Sequence, residues 1–75
     1  MPIKSYIAIP HPDSFKQLVA ELGSMVECQV HPAENKEILV LVTDTLSEDE
    51  DKVLVGRIEQ SKYLAHLSFV SGFDE

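Results

Sequence analysis

Hydrophobic and polar positions change period several times along the chain, and each change marks an element. "PIKSYIAIP", Pro2 to Pro10, puts Ile3, Ser5, Ile7 and Ile9 on one side of an extended segment and Lys4, Tyr6 and Ala8 on the other. It predicts a strand over residues 3–9. In "HPDSFKQLVAELG" the period becomes helical, with Phe15, Leu18, Val19 and Leu22 forming one stripe. Asp13 or Ser14 can cap this helix, and Gly23 suits a left-handed exit from it, so a helix is predicted over residues 13–22. "SMVECQVHP" alternates again, Val26, Cys28 and Val30 against Glu27, Gln29 and His31, and Pro32 stops it. That is a strand over residues 25–31. The polar loop "PAENK" follows, and "KEILVLVTD" predicts a strand over residues 37–43.

A second helix is predicted over residues 47–60. Ser47 and Glu50 have capping-box spacing, and Glu48 to Asp51 place negative charge in the first turn, where the helix dipole favours it. Leu54, Val55 and Ile58 form its apolar stripe, and Gly56 inside that stripe suggests close packing on the sheet. "YLAHLSFVSG" predicts a last strand over residues 64–70, with Ala65, Leu67 and Phe69 opposite Leu64, His66, Ser68 and Val70; Phe73 to Glu75 are left as a tail. The order strand-helix-strand-strand-helix-strand predicts an α+β, ferredoxin-like βαββαβ sandwich. Right-handed crossovers give it a four-stranded antiparallel sheet with two helices on one face.

The five apolar residues Ile38 to Val42 do not alternate, so both faces of that central strand are apolar. With Ile38, Val40 and Val42 turned to the helices, Leu39 and Leu41 lie on the open face, beside Tyr6 and Ala8, and Leu64 and Val70 extend the patch. The expected core is then Ile7, Leu18, Val19, Leu22, Val30, Val40, Leu54, Ile58, Leu67 and Phe69. A contiguous apolar patch on a small protein marks an interaction site. It can take a protein or peptide partner or pair two copies of the chain sheet to sheet, unless its residues are merely scattered exposed side chains.

At 75 residues the chain is read as a single domain, residues 1–75, with a thin core. The lone Cys28 excludes an internal disulfide, which together with the lack of a signal-peptide pattern at the N-terminus points to the cytoplasm. No apolar run is long enough for a membrane span. A net charge of −7 argues against nucleic-acid binding. It favours encounter with a basic partner, although acidity also serves solubility alone.

Candidates for chemistry are few. His11, Cys28, His31 and His66 show no metal-ligand spacing. Cys28 sits where a small core filler fits. The run Glu48 to Asp51 lacks the calcium-loop pattern, and no glycine-rich phosphate loop is present. These features predict no enzyme, no metal and no cofactor.

With "SYIAI" in the first strand, "ECQV" in the second, then "KEILVLVTD" and the closing "LAHLSFV", the chain resembles the NapD family from Ile3 to Val70. Members of that family are cytoplasmic chaperones for the catalytic subunit of periplasmic nitrate reductase. The resemblance implies a protein that binds a twin-arginine signal peptide as a helix on the open sheet face. It would hold the precursor in the cytoplasm during molybdenum cofactor insertion while binding no cofactor itself. Mapped onto the apolar run, the expected peptide site is Tyr6, Ala8, Leu39 and Leu41, with Glu27, Glu37 and His66 at the rim. The competing readings are a small-ligand effector domain of the ACT or AsnC type, which shares the element order, and a ferredoxin-like dimerisation module.

Overall fold

A computed structural model describes residues 2–74. The elements are β1 (Pro2–Pro10), α1 (Phe15–Gly23), β2 (Cys28–Pro32), β3 (Leu39–Asp44), α2 (Glu48–Glu59) and β4 (Leu64–Asp74). The sheet is antiparallel throughout, in the order β2-β3-β1-β4. Buried residues from both helices, Leu18 and Leu22 of α1 with Leu54 and Ile58 of α2, join one core with a single face of β1 and β3. This is the α+β ferredoxin-like sandwich.

The helix ends follow from local hydrogen bonds. Ser47 caps α2 by accepting from the Glu50 N–H at 3.2 Å, and the Glu50 carboxylate accepts from the Leu46 N–H at 3.1 Å. The first bond satisfies one orphan donor of the helix, and the second ties the residue before the cap to the first turn. At α1 the expectation differs from the outcome. Ser14 holds the cap position without a side-chain bond, and Asp13 takes a left-handed backbone with φ 64°. Gly23 ends the helix in a right-handed conformation, and the Ser24 hydroxyl donates to the Glu21 carbonyl at 2.7 Å. Gly56 also departs from its reading: a Cβ there would meet no atom within 4 Å, so close packing does not explain this glycine.

β4 is longer than its apolar pattern suggests, and it takes in Phe73 and Asp74 in place of the expected tail. Its register against β1 shifts twice. Pro10 pairs with Leu64 but Ile9 with His66, and Tyr6 pairs with Phe69 but Ser5 with Ser71. Ala65 and Val70 are the residues passed over, as in β-bulges. The first shift turns Leu64 into the core alongside Leu67, against the parity expected from unbroken alternation.

The main correction concerns which sheet face carries the helices. Tyr6, Ala8, Leu39 and Leu41 are the buried core under α1 and α2, not the open face. Val40, expected in the core, is 40% exposed, and Ile7 is half-buried on the far side. Phe69, also expected inside, is 60% exposed at the rim, its ring edge-on to Tyr6 at 5.6 Å. Leu18, Leu22, Leu54 and Ile58 are buried as expected, and Val19, Val30 and Leu67 pack partly buried against them.

Candidate functional site: the open sheet face

A buried carboxylate on α2 accounts for the choice of face. Asp51 lies one turn before Leu54 and two before Ile58, on the same buried stripe, and is 2% exposed. A charge so placed must find hydrogen-bond donors on the facing sheet. The Tyr6 hydroxyl donates to Asp51 Oδ2 at 2.9 Å, and the Thr43 hydroxyl donates to Oδ1 at 2.8 Å. The Lys4 ammonium lies 3.5 Å from the same carboxylate and also pairs with Glu48. Among the described residues no buried side-chain polar atom lacks a partner. Lys4, Tyr6 and Ala8 share one face of β1, and Leu39, Leu41 and Thr43 one face of β3, so these donors draw the whole set beneath the helices. Burial, followed by the bond to Asp51, pushes the Tyr6 hydroxyl well above its ordinary pKa and keeps it a donor. The bond to Glu48, opposed by desolvation, raises the Lys4 ammonium.

What remains on the open face can be read from the register. Ile7 pairs with Val40 and Ser5 with Val42. Outward from these rows lie Gln29 beside Val42 and His31 beside Val40 on β2, then Ser68 beside Ile7 and His66 beside Ile9 on β4. The centre is therefore an apolar, β-branched stripe on the two inner strands, formed by Ile7, Ile9, Val40 and Val42. Its rim on the edge strands is uncharged or imidazole. Among the described residues Lys4 is the sole lysine or arginine on a strand, and it turns to α2. The remaining lysines and the arginine lie on helices or loops.

Of the seven residues expected to bind a peptide, His66 alone lies on this face. Tyr6, Ala8, Leu39 and Leu41 are beneath the helices. Glu27 precedes β2 and pairs with Arg57 of α2 at 3.0 Å, which ties it to the helix side. Glu37 lies in the β2–β3 loop and borders a shallow recess with Asp13, Phe15 and Lys16 near the start of α1. Leu64 is in the core, and Val70 is an exposed bulge residue. The open-face residues missed from sequence are Ile7, Ile9, Val40 and Val42. Their signal was the misplaced acid: an Asp on the apolar stripe of α2 requires the facing strands to present Tyr, Thr and Lys.

Cys28 faces the helix layer, and burial, with Glu27 nearby, pushes its thiol up to about 11. That suits a packing residue and disfavours a thiolate nucleophile. Among the described residues no group of three His, Cys, Asp or Glu side chains converges as a metal site. Nor is any helix there long and apolar enough to cross a membrane.

No family model matches the chain, and no curated protein matches it. Among solved structures, an uncharacterized NIPSNAP domain protein from Burkholderia xenovorans superposes with a TM-score of 0.53 at 10% identity. The match covers 100% of this chain and 94% of that one. At so low an identity the likeness speaks for the fold.

Proposed function

We propose that the chain is a NapD-like chaperone that binds the helical twin-arginine leader of a reductase precursor on the open sheet face. It would hold that precursor in the cytoplasm until its cofactor is in place. The observation that carries the proposal is the apolar stripe on β1 and β3, rimmed by polar edge strands and free of lysine and arginine. A helix about 10–12 Å wide spans two strands spaced about 4.8 Å apart together with their flanks. The stripe from the Ser5–Val42 row to Ile9 is roughly 13 Å long at about 3.3 Å per residue, room for two to three helical turns. Helix-in-groove docking then buries the leader's apolar face, and the net charge of −7 attracts its arginines. The resemblance of the strand sequences to NapD supplies the identity of the partner. No catalytic step is assigned.

The test is calorimetric titration with a twin-arginine leader peptide and a twin-lysine control. Val40→Asp places a charge at the centre of the stripe without entering the core and should abolish binding while preserving the fold. Leu41→Asp buries an unpaired charge and should unfold the protein. Undiminished leader binding by the Val40 variant would refute the site. A concentration-dependent dimer lost in that variant, with no leader binding, would assign the face to a second copy of the chain.

A further inference from the structure

A second concave surface lies on the helix side, where β3 leaves the sheet. It is a groove of about 430 Å³ between the residues preceding β2 and the outer side of α2. Its floor is Thr45 and Leu54, both buried. Residues 49, 50, 53, 54 and 57 recur at helical spacing, so one side of α2 forms the wall. That wall carries Val53, 67% exposed on an otherwise charged helix surface, and Val26 and Leu46 in the adjoining loops are 96% and 69% exposed. Three carboxylates also line the groove, Glu27, Asp49 and Glu50, against a single cation, Arg57.

Two of these carboxylates have internal duties. Glu50 accepts from the Leu46 N–H, and Glu27 holds Arg57 in a weak, solvent-exposed pair. Asp49 has no ion pair among the described residues. Helix-cap electrostatics explain an acid in the first turn of α2. They do not explain a valine held in water beside it in the wall of the groove. An apolar surface with an excess of carboxylates matches a ligand that carries an aliphatic group next to a cation.

We propose that this groove docks a short partner segment in which an arginine adjoins an aliphatic residue. The guanidinium is received by Asp49, with Glu27 once Arg57 swings away, and the aliphatic side chain rests on Val53 and Leu54. This surface is separate from the open sheet face and does not depend on the leader-binding proposal.

The probe is acetyl-Leu-Arg-Leu-amide, titrated into isotopically labelled protein and followed by amide chemical shifts. The control is the same peptide with neutral citrulline in place of arginine. The amides of Thr45, Val53 and Leu54 should move, those of Ile9 and Val40 should not, and the citrulline peptide should bind about tenfold more weakly. Asp49→Asn and Val53→Ser, both at exposed positions, should each weaken binding about 3- to 10-fold without altering the remaining spectrum. Equal binding of the two peptides, shifts confined to Ile9 and Val40, or no shift up to about 10 mM peptide would each overturn the proposal.

Discussion

Replacing Tyr6 by Phe isolates the bond that ties β1 to α2. The ring is kept, and with it the edge-on contact to Phe69 and the burial among Leu39, Leu41 and Leu54, so the change removes a hydroxyl and little else. That hydroxyl donates to an ionised, buried carboxylate, a class of bond worth about 1.5–3 kcal/mol. Asp51 retains Thr43 at 2.8 Å and Lys4 at 3.5 Å, and the flexible lysine can close in, so the lower part of that range applies, about 1.5–2 kcal/mol. A domain of this size has a total stability of about 4–11 kcal/mol. The loss is therefore a sizeable fraction of the whole. In urea, with a slope of about 1 kcal/mol/M for so small a chain, the unfolding midpoint followed by far-ultraviolet circular dichroism should fall by about 1.5–2 M. Thr43→Val provides the second arm of a double-mutant cycle. With both hydroxyls gone the carboxylate keeps only lysine contact, so the double variant should lose about 1 kcal/mol more than the sum of the singles. A Tyr6→Phe midpoint within about 0.5 M of the parent, or a strictly additive cycle, would refute Asp51 as the group that fixes the helix-bearing face.

Gly56→Ala should raise stability by about 0.5–1 kcal/mol, because its Cβ enters open space and alanine is the better helix former; a fall in melting temperature would show that the backbone there is constrained in some other way. Tyr6 has a folded-state pKa above its unfolded value, so the folded state binds the extra proton: its contribution is fully present below about pH 10 and is lost as pH rises beyond that. The melting temperature should decline on the alkaline side, less steeply in Tyr6→Phe, and an identical slope in the two proteins would contradict this. Cys28, with its thiol pushed up to about 11, should be roughly one-thousandth thiolate at pH 8 and react slowly with a disulfide reagent in the folded state; reaction at the rate of the unfolded chain would place it at the surface. Ile58→Ala should cost about 2–5 kcal/mol, read from the same urea transition, and an unchanged midpoint would displace Ile58 from the core.

Periodicity was sufficient for the elements, because side-chain spacing follows backbone geometry wherever one side is wet. The 3.6-residue stripe of Leu18 and Leu22 and that of Leu54 and Ile58 picked the helix faces correctly, and alternation found three of the strands while an unbroken apolar run found β3. It also established that Tyr6 travels with Ala8, and Leu39 with Leu41. It could not say which way these pairs point. β3 is apolar on both sides, so hydropathy is indifferent to its orientation, and on β1 hydropathy favours turning Ile7 and Ile9 inward, which is not what occurs. A local pattern also cannot show a register shift such as the one at Ala65, which exists only relative to the partner strand.

The sequence by itself therefore determined the element order, the helix faces and the pairing of side chains by parity. The tertiary structure decided which sheet face is covered, and so which residues make up the candidate site. The physical reason is the asymmetry between burying a methyl group and burying a charge. On β3 either orientation hides apolar side chains, and on β1 the opposite one would hide more, but only the observed one brings the hydroxyls of Tyr6 and Thr43 and the Lys4 ammonium to Asp51. Tyr6, Ala8, Leu39 and Leu41 go under the helices with those donors, and Ile7, Ile9, Val40 and Val42 are left facing outward.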